Sequence, residues 1–306
     1  MIKEFYFKSS TGKDLYAKKW YDENLTEYKA VIQLVHGMEE YISRYDEFAN
    51  YLASKGFMVV GHDHIGHGKS VKDDSELGHM DCEDGWFRMA EDIHILQNKT
   101  SQEYPNIPYF IMGHSMGSLL TRTYATIYDD NLTGIILSGT SGQKSMLHLG
   151  KFLTSVIKTF KGPKYKSKLL HKMVIGSFNN KFKPNRTESD WTTRDTKKID
   201  EYMKVINPNR RFTIESYSQL MKGSIYLNDM SKIKNTPNIP ILIFSGDKDP
   251  VGEMGKGVTR VYNMLKEVGI EDVTLKLFKD GRHEMLNEIN RDEVFEFILN
   301  WIESKI

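Results

Sequence analysis

Short apolar runs alternate with helical periodicity along most of this chain. The runs at residues 4–8, 14–20, 30–35, 57–61, 109–112, 134–137, 241–244 and 274–278 predict eight strands. The later runs are continuously apolar, the pattern of strands covered on both faces. Between them apolar residues recur at helical spacing. One stripe is Tyr45, Phe48, Tyr51 and Leu52; a second is Trp86, Met89, Ala90, Ile93 and Leu96. The last is Val294, Phe295, Phe297, Ile298, Trp301 and Ile302, spaced as a helix packed on a sheet requires. Two strands open the chain with no helix between them, which predicts an antiparallel hairpin at one sheet edge. The remainder winds as β-α-β units. The fold class is therefore α/β: an eight-stranded, mostly parallel sheet flanked by helices.

The alternation stops after residue 139 and resumes at 235. Residues 1–139 and 235–306 are read as the core, and 140–234 as an inserted helical cap. Within the insertion Leu149, Phe152, Leu153, Val156, Ile157 and Phe160 form a helical stripe. Asn235-Thr236-Pro237-Asn238-Ile239-Pro240 returns to the sheet, with prolines marking the boundary. From Lys144 to Lys183 the chain has Lys144, Lys151, Lys158, Lys161, Lys164, Lys166, Lys168, Lys172, Lys181 and Lys183, and no Asp or Glu. Two readings stand. A basic amphipathic surface docks on anionic membranes; or the stripe packs inward, from Leu147 to Val174, and the lysines are a solvated face. A cap that covers an acyl tunnel and meets lipid with its outer face combines them.

Composition narrows the class. The 306 residues carry a net charge of +1, so no nucleic-acid partner is expected. Cys82 is the only cysteine, which excludes an intrachain disulfide and suits a reducing compartment. Asp81 and Glu83 beside it would raise its pKa and make it a poor nucleophile. Charges interrupt the first eight residues, and no run of eighteen apolar residues exists, so neither a signal peptide nor a spanning helix is expected and the location reads as cytoplasmic.

The chemistry centres on Gly113-His114-Ser115-Met116-Gly117, which lies between an apolar run and a helical segment. The pattern G-x-S-x-G is that of a nucleophile elbow, although a plain Gly/Ser turn has the same form. The glycines let two backbones cross closely, and the following helix points its N-terminus at an anion formed at the serine. A serine needs a base, and the base a carboxylate, in the chain order Ser, Asp or Glu, His. His283 follows the last predicted strand and is the base candidate. Asp247, Asp249 and Asp280 are the candidate carboxylates. Asp249 is favoured because the loop needs length to reach the histidine and Pro250 holds its shape, while Asp247 suits bonds to loop amides. The oxyanion donors would be the backbone N–H groups of Met116 and of Met38 in His36-Gly37-Met38.

These pieces together resemble the monoacylglycerol lipase and lysophospholipase branch of the α/β-hydrolases, which is grouped with serine aminopeptidase-like hydrolases. The resemblance covers nearly the whole chain. It rests on His36-Gly37-Met38 with Arg44-Tyr45, Asp63-His64-Ile65-Gly66-His67-Gly68-Lys69-Ser70, the Ser115 elbow, Gly246-Asp247-Lys248-Asp249-Pro250, Gly281-Arg282-His283-Glu284 and Trp191-Thr192-Thr193-Arg194-Asp195. It implies Ser115, Asp249 and His283 as a catalytic triad, an oxyanion hole at Met38 and Met116, and a helical cap. Tyr41 and Asn207-Pro208 depart from the pattern, where relatives often have His and Asp-Pro. The resemblance favours a glycine turn over a metal site for His62, His64 and His67, with Asp63 tying the loop. The expected protein is a serine hydrolase of carboxylic esters with lipid-like substrates, such as monoacylglycerols or lysophospholipids. It needs no cofactor and no metal. An amide- or peptide-cleaving enzyme on the same triad and a non-catalytic receptor on the same fold are the alternatives.

Overall fold

The computed structural model describes residues 1–128, 131–142 and 147–306. Lys144 and the side chain of Leu147 lie outside the described residues. All eight predicted strands form: β1 (Ile2–Lys8), β2 (Asp14–Trp20), β3 (Val31–Val35), β4 (Met58–His62), β5 (Tyr109–His114), β6 (Gly134–Ser138), β7 (Ile241–Gly246) and β8 (Val273–Phe278). They make one sheet in the order β1-β2-β4-β3-β5-β6-β7-β8. The opening hairpin is antiparallel and places β1 at the edge; β2 also runs antiparallel to β4. Every later pairing is parallel.

β5 and β7 each run two residues beyond their apolar stretches. His114 pairs with Ser138 and Gly246 with Phe278, so the ladder continues through residues that carry no hydrophobic signal. Those extra residues end beside the site.

Alternation along the buried strands feeds two apolar layers. Ile32 and Leu34 of β3 pack with Phe48 and Leu52 of α1 (Asp46–Ser54) and with Phe295 and Trp301 of the final helix, Arg291–Glu303. Val31 and Val35 face the other way. They join Trp86, Met89 and Ile93 of α2 (Gly85–Glu103), Leu120 and Tyr124 of α3 (Met116–Ala125), and Val258 and Val261 of the helix Lys256–Glu267. The predicted stripes are therefore the buried faces, with Tyr51 and Phe297 at their half-covered margins.

Between β6 and β7 the described residues form helices and turns with no strand. The longest are α4 (Leu147–Lys161), Thr196–Val205 and Ile214–Tyr226. The stripe of α4 divides. Leu153 and Ile157 are half-buried, whereas Leu149, Phe152, Val156 and Phe160 are 49%, 64%, 38% and 80% exposed. Inward packing thus accounts for only part of the stripe. No helix among the described residues is long and apolar enough to cross a membrane.

Candidate active site

β5 ends in a turn that holds Ser115 at φ 53°, ψ −121°, a strained conformation for a residue with a Cβ. The strain is held from both sides. Ser115 N–H donates to Ser138 O on β6 at 2.9 Å, and α3 begins directly after it. Gly117 makes the crossing possible: a Cβ there would stand 2.1 Å from Val35 O and 2.5 Å from His36 O. Ser115 is half-buried and opens on a cavity of about 540 Å³, which also receives Gly37, Met38, Met116, Trp191 and His283. That volume lies in the range of small-molecule sites.

The loops after β7 and β8 bring the two other predicted groups together. His283 Nδ1 lies 2.9 Å from Asp249 Oδ2, with both side chains buried. A carboxylate only accepts, so Nδ1 carries the proton and Nε2 is left basic. Nε2 is buried with no partner among the described residues. Asp249 is fixed in turn by Ser245 Oγ at 2.7 Å and the Val251 N–H at 2.8 Å. Burial opposes charge on both members of the pair. Their mutual attraction and hydrogen bond outweigh it, so the Asp249 pKa falls below its ordinary range and that of His283 rises above its own. Asp247 instead accepts from the Asp280 N–H at 2.8 Å, tying its loop to the one after β8. Asp280 is exposed and does not reach His283.

The N–H groups of Met38 and Met116 have no hydrogen-bond acceptor among the described residues. Each is aimed by the carbonyl across its own peptide plane, because C=O and N–H of a trans peptide point in opposite directions. His36 Nδ1 donates to Gly37 O at 2.8 Å. Ser115 O accepts from Ser118 Oγ at 2.6 Å and Ser118 N–H at 2.9 Å. A Cβ on Gly37 would lie 3.1 Å from Ser115 Cβ, so the Met38 loop adjoins the serine.

Three further features were not read from the sequence as parts of a site. Arg44 sits between two carboxylates: Nη1 donates to Glu40 Oε2 at 2.8 Å, and the guanidinium grips Glu284 at 2.9 and 2.7 Å. Glu40 also accepts from the Gly37 N–H, so this buried ion network clamps the Met38 loop to the residue after His283. Burial pushes the Glu284 pKa up, but Arg44 outweighs it and holds it at about 2. Trp191 lies against His283, ring centres 5.1 Å apart. The Trp191 segment is pinned by Arg194 to Glu288 at 2.9 Å and by Thr193 Oγ1 to Asn287 O at 2.9 Å. Arg122, seven residues beyond Ser115, reaches the same cavity. The acid after His283 and the i, i+4, i+7 spacing of Ser115, Leu119 and Arg122 were the available signals.

His62, His64 and His67 form a buried ring cluster with His36. Burial keeps all four well below their usual pKa. Asp63 ties this loop by accepting from the Ile42 and Lys69 N–H groups, each at 2.7 Å. No group of three or more potential ligands with metal-holding geometry occurs among the described residues. The Cys82 thiol is pushed up to about 11, first by burial and then by Asp92 and Asp81. Of the two departures, Tyr41 is half-buried and Asn207 caps the turn that delivers Arg210 to the cavity.

Comparison with known proteins agrees with this architecture. The family described as serine aminopeptidase, S33, matches residues 26–290. A thermostable carboxyl esterase from Bacillus coagulans is 29% identical and superposes with a TM-score of 0.91, over 99% of this chain and 98% of that one. Monoglyceride lipase of Rattus norvegicus is 24% identical over 97% of this chain and 89% of the rat protein. A soluble variant of monoglyceride lipase from Saccharomyces cerevisiae, 18% identical, superposes with a TM-score of 0.77 over 99% and 95% of the two chains, a likeness of fold.

Proposed function

Since the chain belongs to the serine aminopeptidase S33 family of α/β-hydrolases, we propose that it hydrolyses carboxylic esters through Ser115, His283 and Asp249. Ser115 Oγ attacks the acyl carbonyl while His283 Nε2 takes the hydroxyl proton. The new oxyanion lies against the N–H groups of Met38 and Met116. His283 then protonates the departing alcohol oxygen. Water, deprotonated by the same nitrogen, attacks the acyl-enzyme, and Ser115 leaves with the proton as the acid is released. Asp249 holds the imidazole in the needed tautomer and offsets its positive charge.

One observation carries this reading: an unpartnered, buried Nε2 on a histidine whose Nδ1 is held by a carboxylate, in the cavity that Ser115 enters. The names of the Bacillus coagulans and rat proteins support an ester substrate. A peptide substrate would need a carboxylate available for an α-amino group. Among the described residues four line the cavity, and each is engaged by arginine: Glu40 and Glu284 by Arg44, Glu39 by Arg210, and Glu188 by Arg210 and Arg211. Ser115→Ala is expected to abolish turnover of p-nitrophenyl butyrate with an unchanged circular dichroism spectrum; retained turnover would reject the assignment.

Residues 140–234 act as the cap in this reading, with Trp191 over His283. The exposed side of α4 faces lipid. Leu149, Phe152, Val156 and Phe160 supply apolar area there, and the exposed Lys151 and Lys161 supply charge complementary to anionic headgroups, while Lys158 is paired with Glu215. The substrate is then an ester with an acyl tail, taken up from that surface.

A further inference from the structure

Four arginines line the cavity: Arg44, Arg122, Arg210 and Arg211. Three are paired with carboxylates, as described above. Arg122 is not. It is 5% exposed, and its guanidinium donates to two neutral acceptors, Ser141 O at 3.1 Å and Leu227 O at 3.5 Å. No acidic group among the described residues acts on it; burial alone lowers its pKa, to about 10, and it remains a cation at neutral pH.

A buried cation without a counter-charge is costly to keep. A structural strut between the loop after β6 and the end of the helix Ile214–Tyr226 could be made without charge. Arg122 also stands on the reactive face of α3. Ser115, Leu119 and Arg122 follow one another at i, i+4 and i+7, so all three enter the same cavity. Seven residues at the helical rise put Arg122 about 10 Å along the axis from Ser115. The exposed Lys168 and Lys172 line the cavity too, so among the described residues six lysines and arginines line it against four carboxylates. That excess favours entry of anions.

We propose that Arg122 receives a negatively charged oxygen group carried by the substrate, a carboxylate or a phosphate several bonds from the scissile carbonyl. The proposal rests on the esterase reading above and assigns the substrate class: anionic esters ahead of neutral ones. The planar fork suits either oxyanion in a bidentate manner.

The test compares kcat/KM for matched esters in wild type, Arg122→Met and Arg122→Lys. One arm sets mono-p-nitrophenyl adipate against p-nitrophenyl hexanoate; the other sets 1-lauroylglycerol 3-phosphate against 1-lauroylglycerol. The wild type is expected to prefer the charged member in at least one arm, and that arm identifies carboxylate or phosphate. Arg122→Met reduces that preference by roughly ten- to a hundredfold, through KM more than kcat, and Arg122→Lys restores part of it. A merely structural arginine would lower both members of a pair in parallel. Binding to Ser115→Ala protein, read from Trp191 fluorescence, separates this idea from the triad. Octyl phosphate should bind more tightly than octanol, or monomethyl adipate more tightly than dimethyl adipate, whether or not any ester is turned over. A wild type that prefers the neutral ester in both arms, or a preference that survives Arg122→Met, overturns the proposal. Should Arg122→Met fail to fold, equal binding of charged and neutral probes to Ser115→Ala protein overturns it as well.

Discussion

A carboxylate 2.9 Å from Nδ1 decides which nitrogen of His283 is free to act. It also sets the pH at which that nitrogen works. Below its pKa the imidazole already carries the proton it must take from Ser115, so kcat/KM rises with pH through that value. Asp249 lifts the pKa above the ordinary 6.5, against the opposing effect of burial. The acid limb for p-nitrophenyl butyrate should therefore have its midpoint above 6.5 in wild type and at lower pH in Asp249→Asn. The same substitution is expected to lower kcat by roughly 10³–10⁴, because asparagine stabilises the wrong tautomer and no charge. Asp247→Asn alters only an acceptor for the Asp280 N–H and a partly exposed ion pair with Lys248 at 3.6 Å, and should cost far less. A profile flat from pH 5 to 8, or the reverse ranking of the two variants, would move the acid elsewhere. Neighbouring residues show why some of this was legible in the sequence and some was not. Ser115, Asp249 and His283 each follow an apolar strand in a fixed order, so chain order pointed to the three loops, while loop length and Pro250 were needed to favour Asp249 over Asp247. The Arg44–Glu284 contact joins residues 240 apart, and no local pattern pairs them.

Strand ends and helix faces position these groups. The loops after β7 and β8 cross so closely that a Cβ on Gly246 would stand 1.9 Å from Gly281 O. That crossing brings the Asp249 loop beside the His283 loop. Gly246→Ala must push two backbones apart, so it is expected to lower unfolding free energy by about 2–4 kcal/mol in chemical denaturation and to reduce turnover along with it. Unchanged stability would mean that the loops are not held as described. The sheet itself was readable because buried parallel strands are continuously apolar. Their last residues were not, since His114, Ser138 and Gly246 stay in the ladder without any hydrophobic signal. Periodicity also found α4 but not its surroundings: a stripe reports that one face is apolar, not that something covers it.

Across the whole molecule the charge is nearly balanced, yet its distribution is not. The insertion gathers lysines and exposed apolar side chains on α4, and the cavity beneath the insertion holds an unpaired arginine. On the membrane reading, each lysine close to an anionic surface adds about 1 kcal/mol. Sedimentation with phosphatidylserine vesicles should thus be strong at low salt and weaken near ~1 M salt, where the Debye length is about 3 Å. Phe152→Asp with Phe160→Asp should reduce it further. Binding that ignores both salt and these substitutions would remove α4 as the docking face. In this cavity the Ser115 hydroxyl and the His283 imidazole are proposed to exchange the proton while the Asp249 carboxylate orients and supports the ring. The most direct test is labelling with a fluorophosphonate, followed by peptide mass spectrometry. A single adduct on Ser115 is expected, formed at least roughly 10³ times more slowly in His283→Ala; an adduct on another residue, or ester turnover that continues while Ser115 stays unlabelled, would refute this assignment.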